Sequence, residues 1–506
     1  MRLSPSLTRW IGALCIGFSA SSQAAAPWVQ AGDLTARHHI EALQSQGCLK
    51  GITLTWPISW AALMKGYRLA LAGQTPDQVS ACKNQHSAYL QQALEQTRQA
   101  STGAQLTIGG ATQEPLYTSF SSQAEDEATS QIALYSMGEH WAANLAVGYV
   151  DGERDDTRLR FDDTYLAGIV GNWQLGVGAI DRWWGPGWQS SLALSNNARP
   201  VPGLWMSRQM PLAPESPWLS WIGPWDLQVI VGQLENDRAV PRALLLGGRF
   251  VFNPIDSLQI GLTRLAQWGG EGRPQDLDAL TNALIGRDNG QTSGLKKGED
   301  PSNQIAGFDF RISLTPGDVP TGVYGQFMGE DEAGGLPSKL SSLAGLDMVT
   351  AFGRGSQRVF LEATETVAGS WLSERRLNTA LEHGTYQSGF RHYGRTMTST
   401  WEGDARAVTI GLQQFFRNNV TIGLNLSRAT LNQGGITRAV TAEDGAATLQ
   451  SVEEEQISLA ELRIQHPVLG GQLDWLFSAS DKAVVTTLEK KDRWTVGLQW
   501  TRKFEW

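Results

Sequence analysis

Trp183, Trp184 and Trp188 crowd around a Gly185-Pro186-Gly187 turn, the densest gathering of binding-type side chains in the 506 residues. Proline lacks the amide hydrogen and the flanking glycines favour a sharp reversal, so this turn cannot be helical. Three indoles around a stiff turn offer flat apolar faces with N–H donors at their edges, which suits stacking on sugar rings. The competing role is structural, with the indoles packing on one another to plug a cavity. Arg182, Arg199 and Arg208 lie in or beside the same run, and Arg391, Tyr393 and Arg395 occur in a Phe-Arg-His-Tyr-Gly-Arg stretch. Guanidinium groups take the carboxylates of an acidic polymer bidentately, and they equally satisfy buried Asp and Glu. These eight positions (Trp183, Trp184, Trp188, Arg182, Arg199, Arg391, Tyr393 and Arg395) are the candidate carbohydrate-binding set. Catalysis has no comparable signal. The seven histidines are scattered, with no HExxH or i,i+4 metal pair and no GxSxG elbow. No catalytic residue, metal or cofactor is expected. A hydrolase assembled across strands would require turnover that a single serine or acid substitution abolishes.

The elements that carry these residues read as strands. Met1 to Ala24 has Arg2 and Arg9, an apolar stretch from Trp10 to Ala20 and a Ser22-Gln23-Ala24 signature. That is a secretory leader, with cleavage after Ala24 or Ala25. Losing its two arginines takes the formal charge from -9 to about -11. Cys48 and Cys82 remain, an even count in an exported chain, and are expected to form one disulfide. No segment after the leader has the eighteen or more apolar residues of a membrane helix. The final stretch alternates instead: Trp494, Val496, Leu498, Trp500, Phe504 and Trp506 share one face, and Thr495, Gly497, Gln499, Thr501, Lys503 and Glu505 the other. A strand apolar outside and polar inside, with aromatic residues at both ends, is the signature of an outer-membrane barrel, preferred here over the last strand of a secreted sandwich. Strands are expected near 104–111, 131–138, 141–150, 162–170, 172–182, 190–197, 225–234, 243–252, 258–267, 303–314, 320–328, 355–366, 385–393, 405–416, 419–430, 452–465, 469–479 and 493–506. That makes an eighteen-stranded antiparallel transmembrane β-barrel over 103–506, mainly β. Tight turns alternate with long loops near 112–130, 151–162, 268–302, 329–350, 431–451 and 479–492. The 198–224 segment, rich in proline, is expected to fold into or under the barrel rather than form a central strand. Residues 25–102 read as an α-helical bundle. Asp33 caps the first helix, which stops at Gly47; Trp56-Pro57 opens the second. A capping box at Thr75 and Gln78, with Pro76 between, opens the third.

The run Asp181 to Arg208 resembles the most distinctive segment of the Wzi family, the outer-membrane lectins of capsule assembly. So do Glu382-His383, Tyr386, Gly389-Phe390-Arg391, Tyr393-Gly394-Arg395 and Gly403-Asp404, together with Gly223-Pro224-Trp225, Gln267 to Gly270, and Asn303 to Arg311. One departure stands out: Met397-Thr398-Ser399-Thr400 follows where the family is expected to carry a Gly-His pair. The resemblance covers about Pro27 to Trp506 and implies an eighteen-stranded barrel. It implies a periplasmic bundle that occludes the inner end, and a function of anchoring capsular polysaccharide or a related exopolysaccharide at the cell surface. The expected partners are that polysaccharide, outer-membrane lipids and lipopolysaccharide; no nucleic acid is expected, and the chain is expected to be a monomer. Its net acidity opposes long-range attraction to an acidic polymer, so contact must rest on local arginines and aromatic stacking. The alternative function is an outer-membrane channel for small solutes or oligosaccharides.

Overall fold

The computed structural model describes residues 26–506 apart from 100, 122–126, 152–156, 276–280, 282–301, 332–336, 370–373 and 437–447, so the expected leader lies outside it. Alternation is what the chain turns into architecture. Along Trp141–Asp151, Trp141, Leu145, Val147 and Tyr149 face outward while Ala142, Asn144 and Ala146 are buried inward. The same two-residue period recurs in Arg406–Phe416, where Val408, Ile410 and Leu412 are exposed between buried neighbours. Strands of this kind pair antiparallel with their sequence neighbours and close into one barrel of eighteen, counting the short Leu159–Arg160 piece with Tyr165–Val170. The last strand, Trp494–Glu505, pairs with Thr102–Ala111 and seals the seam. Closure removes every edge, so each backbone group in the wall is satisfied without water. The outward apolar band then places this wall in an outer membrane.

The number of strands matches the expectation, but two members differ. Residues 190–197 are not a strand. They run through the barrel interior, with Leu192 and Leu194 buried along with Ser190, Ser191 and Ser195 that flank them. Residues 385–393 are likewise interior and supply only one arm of a two-residue hairpin, Arg391–His392 against Arg395–Thr396. In their place Gly203–Arg208 forms a wall strand between Trp173–Gly178 and Trp225–Gln233. The prolines of the 198–224 segment flank these six residues and leave them free to pair. Pro337–Phe352, expected as part of a loop, is a strand that pairs with Thr321–Asp331 and Gly355–Glu365.

Among the described residues four helices precede the barrel: α1 (Leu34–Ser45), α2 (Trp60–Ala72), α3 (Pro76–Cys82) and α4 (Gln85–Gln99). Asp33 accepts from the Ala36 amide at 2.9 Å and starts α1 where expected. The Thr75–Gln78 capping box opens α3. The second helix begins at Trp60 under a Ser59 cap, because Thr55–Trp56 is taken up by pairing with Trp183–Trp184. The stripe expected to form one third helix breaks at Lys83 and Asn84 into α3 and α4. Cys48 and Cys82 are bonded, Cα to Cα 5.5 Å, tying the end of α1 to α3. The helices sit at the end where the strands are joined by tight turns such as Gly353–Arg354 and Leu469–Gly470; Lys50 pairs with Asp256 of one such turn. Short turns mark the periplasmic end of an outer-membrane barrel. One helix goes further: α1 enters the lumen and meets the wall through His38 and Glu41.

Candidate functional site

Three connections that leave the external rim fold inward rather than out. They are the described residues of 112–121, 179–202 and 366–405, whose side chains are mostly buried. Together with α1 they fill one side of the lumen. The turn at 185–190 is the centre of this plug. The Glu362 carboxylate, projecting from the wall, accepts from the amides of Trp188 at 2.7 Å, Gln189 at 3.3 Å and Ser190 at 2.9 Å, and from the Tyr324 hydroxyl at 3.1 Å. Gln326 accepts from the Leu192 amide and donates to the Trp184 carbonyl. From below, Arg37 donates to the carbonyls of Pro186 at 2.7 Å and Gly187 at 2.8 Å. A turn with its amides on a carboxylate and its carbonyls on a guanidinium is held from both sides.

This geometry decides how the three tryptophans stand. Trp183, Trp184 and Trp188 are 1%, 0% and 1% exposed. Trp188 lies between two cations, with Arg37 at 4.1 Å and Arg358 at 4.3 Å from its ring centroid. Phe120 sits between Trp56 and Trp183, 5.3 Å from each, and Trp184 donates its indole N–H to Gln228. Protein covers the ring faces that were candidates for stacking on sugar, so in this conformation the indoles are the packed base of the plug.

The arginines of the candidate set split in two. Arg391 donates to Glu402 at 2.7 Å and Arg395 to Glu114 at 2.8 Å, both pairs buried. They pin the 366–405 segment. Gly389, in the Gly-Phe-Arg motif, has φ +60, and a Cβ there would lie 1.9 Å from the Leu381 carbonyl oxygen; only glycine fits. Arg199 and Tyr393 meet toward the external side. Arg199 binds Asp162 at 2.8 and 2.9 Å, and its guanidinium carbon lies 4.5 Å from the Tyr393 ring centroid. Tyr393 is half-buried at the tip of the Arg391–Thr396 hairpin, with φ +49 followed by Gly394 at +75. Two left-handed residues make the tight hairpin turn, where asparagine or glycine would sit more easily than a tyrosine. His392 beside it donates Nδ1–H to the Arg199 carbonyl, and burial pushes its pKa down to about 4. The buried residues Met397 to Thr400, at the departure from the family pattern, lie against 190–198: Ser195 donates to the Thr398 carbonyl, and Ser190 and Ser399 share a hydrogen bond. Arg182 is separate from both groups; it donates to the Ile180 carbonyl and lies 6.0 Å from the Trp205 ring.

Two features had no sequence signal. The first is the partition of the lumen. On the side of strands 244–365, wall arginines and carboxylates lock together: Arg249 holds Asp309, and Arg311, Asp347, Arg358 and Glu41 of α1 form one buried network. The opposite side is open. A chamber of about 840 Å³ runs from Gln92 of α4, past the wall amides Gln105, Gln131 and Gln499, to Asn196 and Pro200 beneath Arg199. Its carboxamides carry both donors and acceptors, the inventory that matches hydroxyl groups. The second is the contact of His38, His39 and His86, the one trio of ligand-type side chains among the described residues whose atoms lie within 4.8 Å of one another. Their rings already have partners. His39 and His86 share a hydrogen bond between their Nδ1 atoms at 2.8 Å, and His38 bonds Ser356 at 2.7 Å. Burial is the main cause that keeps all three neutral, lowering His38 and His39 well below the usual histidine range and His86 to about 4. The trio ties α1 to α4 and to the wall.

The sequence pattern described as "Capsule assembly protein Wzi" matches residues 97–493. A Klebsiella pneumoniae protein known as the uncharacterized 55.8 kDa protein in the cps region is 34% identical over 352 residues, 69% of this chain and 67% of that one. Among solved structures, the Escherichia coli outer-membrane protein Wzi, described as a carbohydrate-binding β-barrel involved in group 1 capsule assembly, superposes with a TM-score of 0.79. The identity is 26%, and the match covers 95% of this chain and all of that one.

Proposed function

The chain belongs to the Wzi capsule assembly family, and from that membership we propose that it binds capsular or related exopolysaccharide at the outer face of the membrane and holds it on the cell. The observation that carries the reading is a family match over residues 97–493, all of the barrel but its last strand, joined to a lumen partly filled from its external rim by the chain's own connections. A barrel built to pass solute keeps its lumen open; one built to hold a polymer needs a rigid outer surface. Contact is assigned to the external mouth at the half-buried Tyr393 ring, which the buried Arg199, paired with Asp162, supports from beneath. The buried members of the candidate set act beneath them as positioning residues. Modest affinity for each repeat, multiplied along the polymer and over many copies, is enough for retention. No covalent step is involved.

The test is the ratio of cell-associated to released polysaccharide in a strain deleted for this gene, against its parent. Unchanged total polymer that moves to the medium is the expected result. A fixed ratio would overturn attachment as the function.

A further inference from the structure

Gln209 to Pro224 is, among the described residues, the one long connection at the short-turn end of the barrel, and it is strongly apolar at its tip. Trp218, Leu219 and Trp221 are 88%, 48% and 63% exposed. The segment does not stand away from the wall. The Asn253 amide donates to the Pro224 carbonyl at 2.9 Å, and the Trp221 ring meets Phe252 edge-on at 6.1 Å. Phe252 stacks on Phe250 at 5.6 Å, Phe250 faces Trp225 at 5.8 Å, and Trp225 faces Trp173 at 6.5 Å. Phe250 and Phe252 point to the lipid side, because Arg249 and Val251 between and beside them are buried toward the lumen. The connection therefore extends the lipid-facing surface rather than interrupting it.

A cation sits within this aromatic band. Arg208 ends its strand opposite Trp173, and the two-residue period puts it on the lipid side with Leu204 and Met206. Its guanidinium carbon lies 3.6 Å from the Trp225 ring centroid, and its buried Nη1 has no hydrogen-bond partner among the described residues. The neighbouring acid, Asp226, is buried on the luminal side of the wall. A charge on the lipid face is costly at mid-bilayer and tolerated near the interface, where indole also prefers to lie. What a guanidinium needs there is an anion with paired oxygens, and a phosphodiester supplies it. At the periplasmic end the available phosphodiester belongs to inner-leaflet phospholipid.

We infer that Arg208, Trp173, Trp225 and the loop residues Trp218 and Trp221 form a binding site for one inner-leaflet phospholipid. The phosphate lies on Arg208 and the acyl chains lie against Phe250 and Phe252. The site anchors the periplasmic rim on the side of the barrel where the 209–224 segment lies.

Native mass spectrometry of the folded full-length protein, with dioleoylphosphatidylglycerol added to the detergent, reads occupancy directly. One retained lipid is expected, falling about fivefold in Arg208→Gln and partly kept in Arg208→Lys. Inorganic phosphate in excess is expected not to displace it; displacement would make this a free-phosphate site and overturn the lipid assignment. Equal lipid occupancy in Arg208→Gln also overturns it. If Arg208→Gln does not fold, as judged by heat-modified gel mobility, a spin label on Trp218→Cys decides in vesicles of phosphatidylcholine and phosphatidylglycerol. A label more accessible to oxygen than to a nickel chelate supports the site. One as nickel-accessible as a label on Gln91→Cys, on the exposed face of α4, sinks it.

Discussion

Glu362 holds the interior turn through three amides and a tyrosine hydroxyl, so its removal is felt at residues far away in sequence. Hydrogen bonds to a charged group are worth about 1.5–3 kcal/mol each, and orphaning the amides adds their desolvation cost. Glu362→Ala is expected to lower the denaturant midpoint of the detergent-solubilised barrel by the equivalent of about 3 kcal/mol, while Glu362→Gln recovers part of the loss. Arg391→Ala leaves the buried Glu402 without its cation, a change of about 3–5 kcal/mol in the same titration. Tyr393 differs from both because it is half-buried, and the cation on its ring, Arg199, keeps Asp162 as its ion-pair partner. Tyr393→Ala is expected to weaken polysaccharide binding about threefold to tenfold with the unfolding midpoint nearly unchanged, the worth of one aromatic contact. Equal binding by that variant in a pull-down on purified polymer would move the contact elsewhere on the mouth. The sequence marks all eight candidate residues as chemically capable. It does not tell which are covered, because burial of Trp188 between Arg37 and Arg358 depends on partners about 150 and 170 residues distant. Glu362, Gln326 and Arg37 carried no local signal, since each acts on a turn far from it in the chain.

Helices and strands differ in how far their sequence announces them. The α1 and α3 starts are legible because their caps are local, Asp33 on Ala36 and Thr75 with Gln78. The break between α3 and α4 is not, because the apolar stripe continues across it. Among strands, 190–197 alternates as a wall strand does, yet both of its faces are buried, and alternation alone cannot tell a membrane wall from an interior segment. Its place is taken by Gly203–Arg208, short and hidden among prolines, so the total of eighteen survives two exchanges of membership. The helical element also carries a pH dependence. His38, His39 and His86 are held neutral, and His86 titrates at about 4 when docked but near 6.5 when free. The undocked state therefore binds more protons between those values, and stability falls as pH drops from about 6.5 toward 4. Thermal unfolding across that range is expected to show the decline, and His86→Gln to remove its share while His38 and His39 keep the rest. Closing the 34-residue separation between Cys48 and Cys82 restrains the unfolded chain by about 4 kcal/mol in the chain-entropy account. Reduction is expected to release the α1–α3 junction to limited proteolysis while the barrel keeps its gel mobility; protection unchanged by reductant would make the bond dispensable.

At the scale of the whole molecule the lumen is divided between a tightly packed ionic half and an open chamber lined by amides and charged groups and capped by the plug. The plug narrows the external side and the helices the other, so planar-bilayer recordings are expected to show a closed baseline without stable open steps; such steps would revive the solute-channel reading. The fold class was legible from the last strand alone, where Trp494, Val496 and Leu498 face out and Thr495 faces in. The division of the lumen was not, because Gln and Arg are equally polar to a pattern of alternation. Helix α1 is gripped by the wall at Ser356 and Arg358 and by the turn at Pro186 and Gly187, partners that reach it from opposite ends of the barrel. Its partners at Arg311, Arg358 and Thr421 stand on wall strands far downstream, so the socket is complete only when those strands have taken their places. Biogenesis thereby acquires an order. Strands made later finish the berth of a helix made before them, and a chain stalled before they pair leaves that helix hanging within reach of periplasmic proteases. The seating of α1 reports that this part of the wall is assembled.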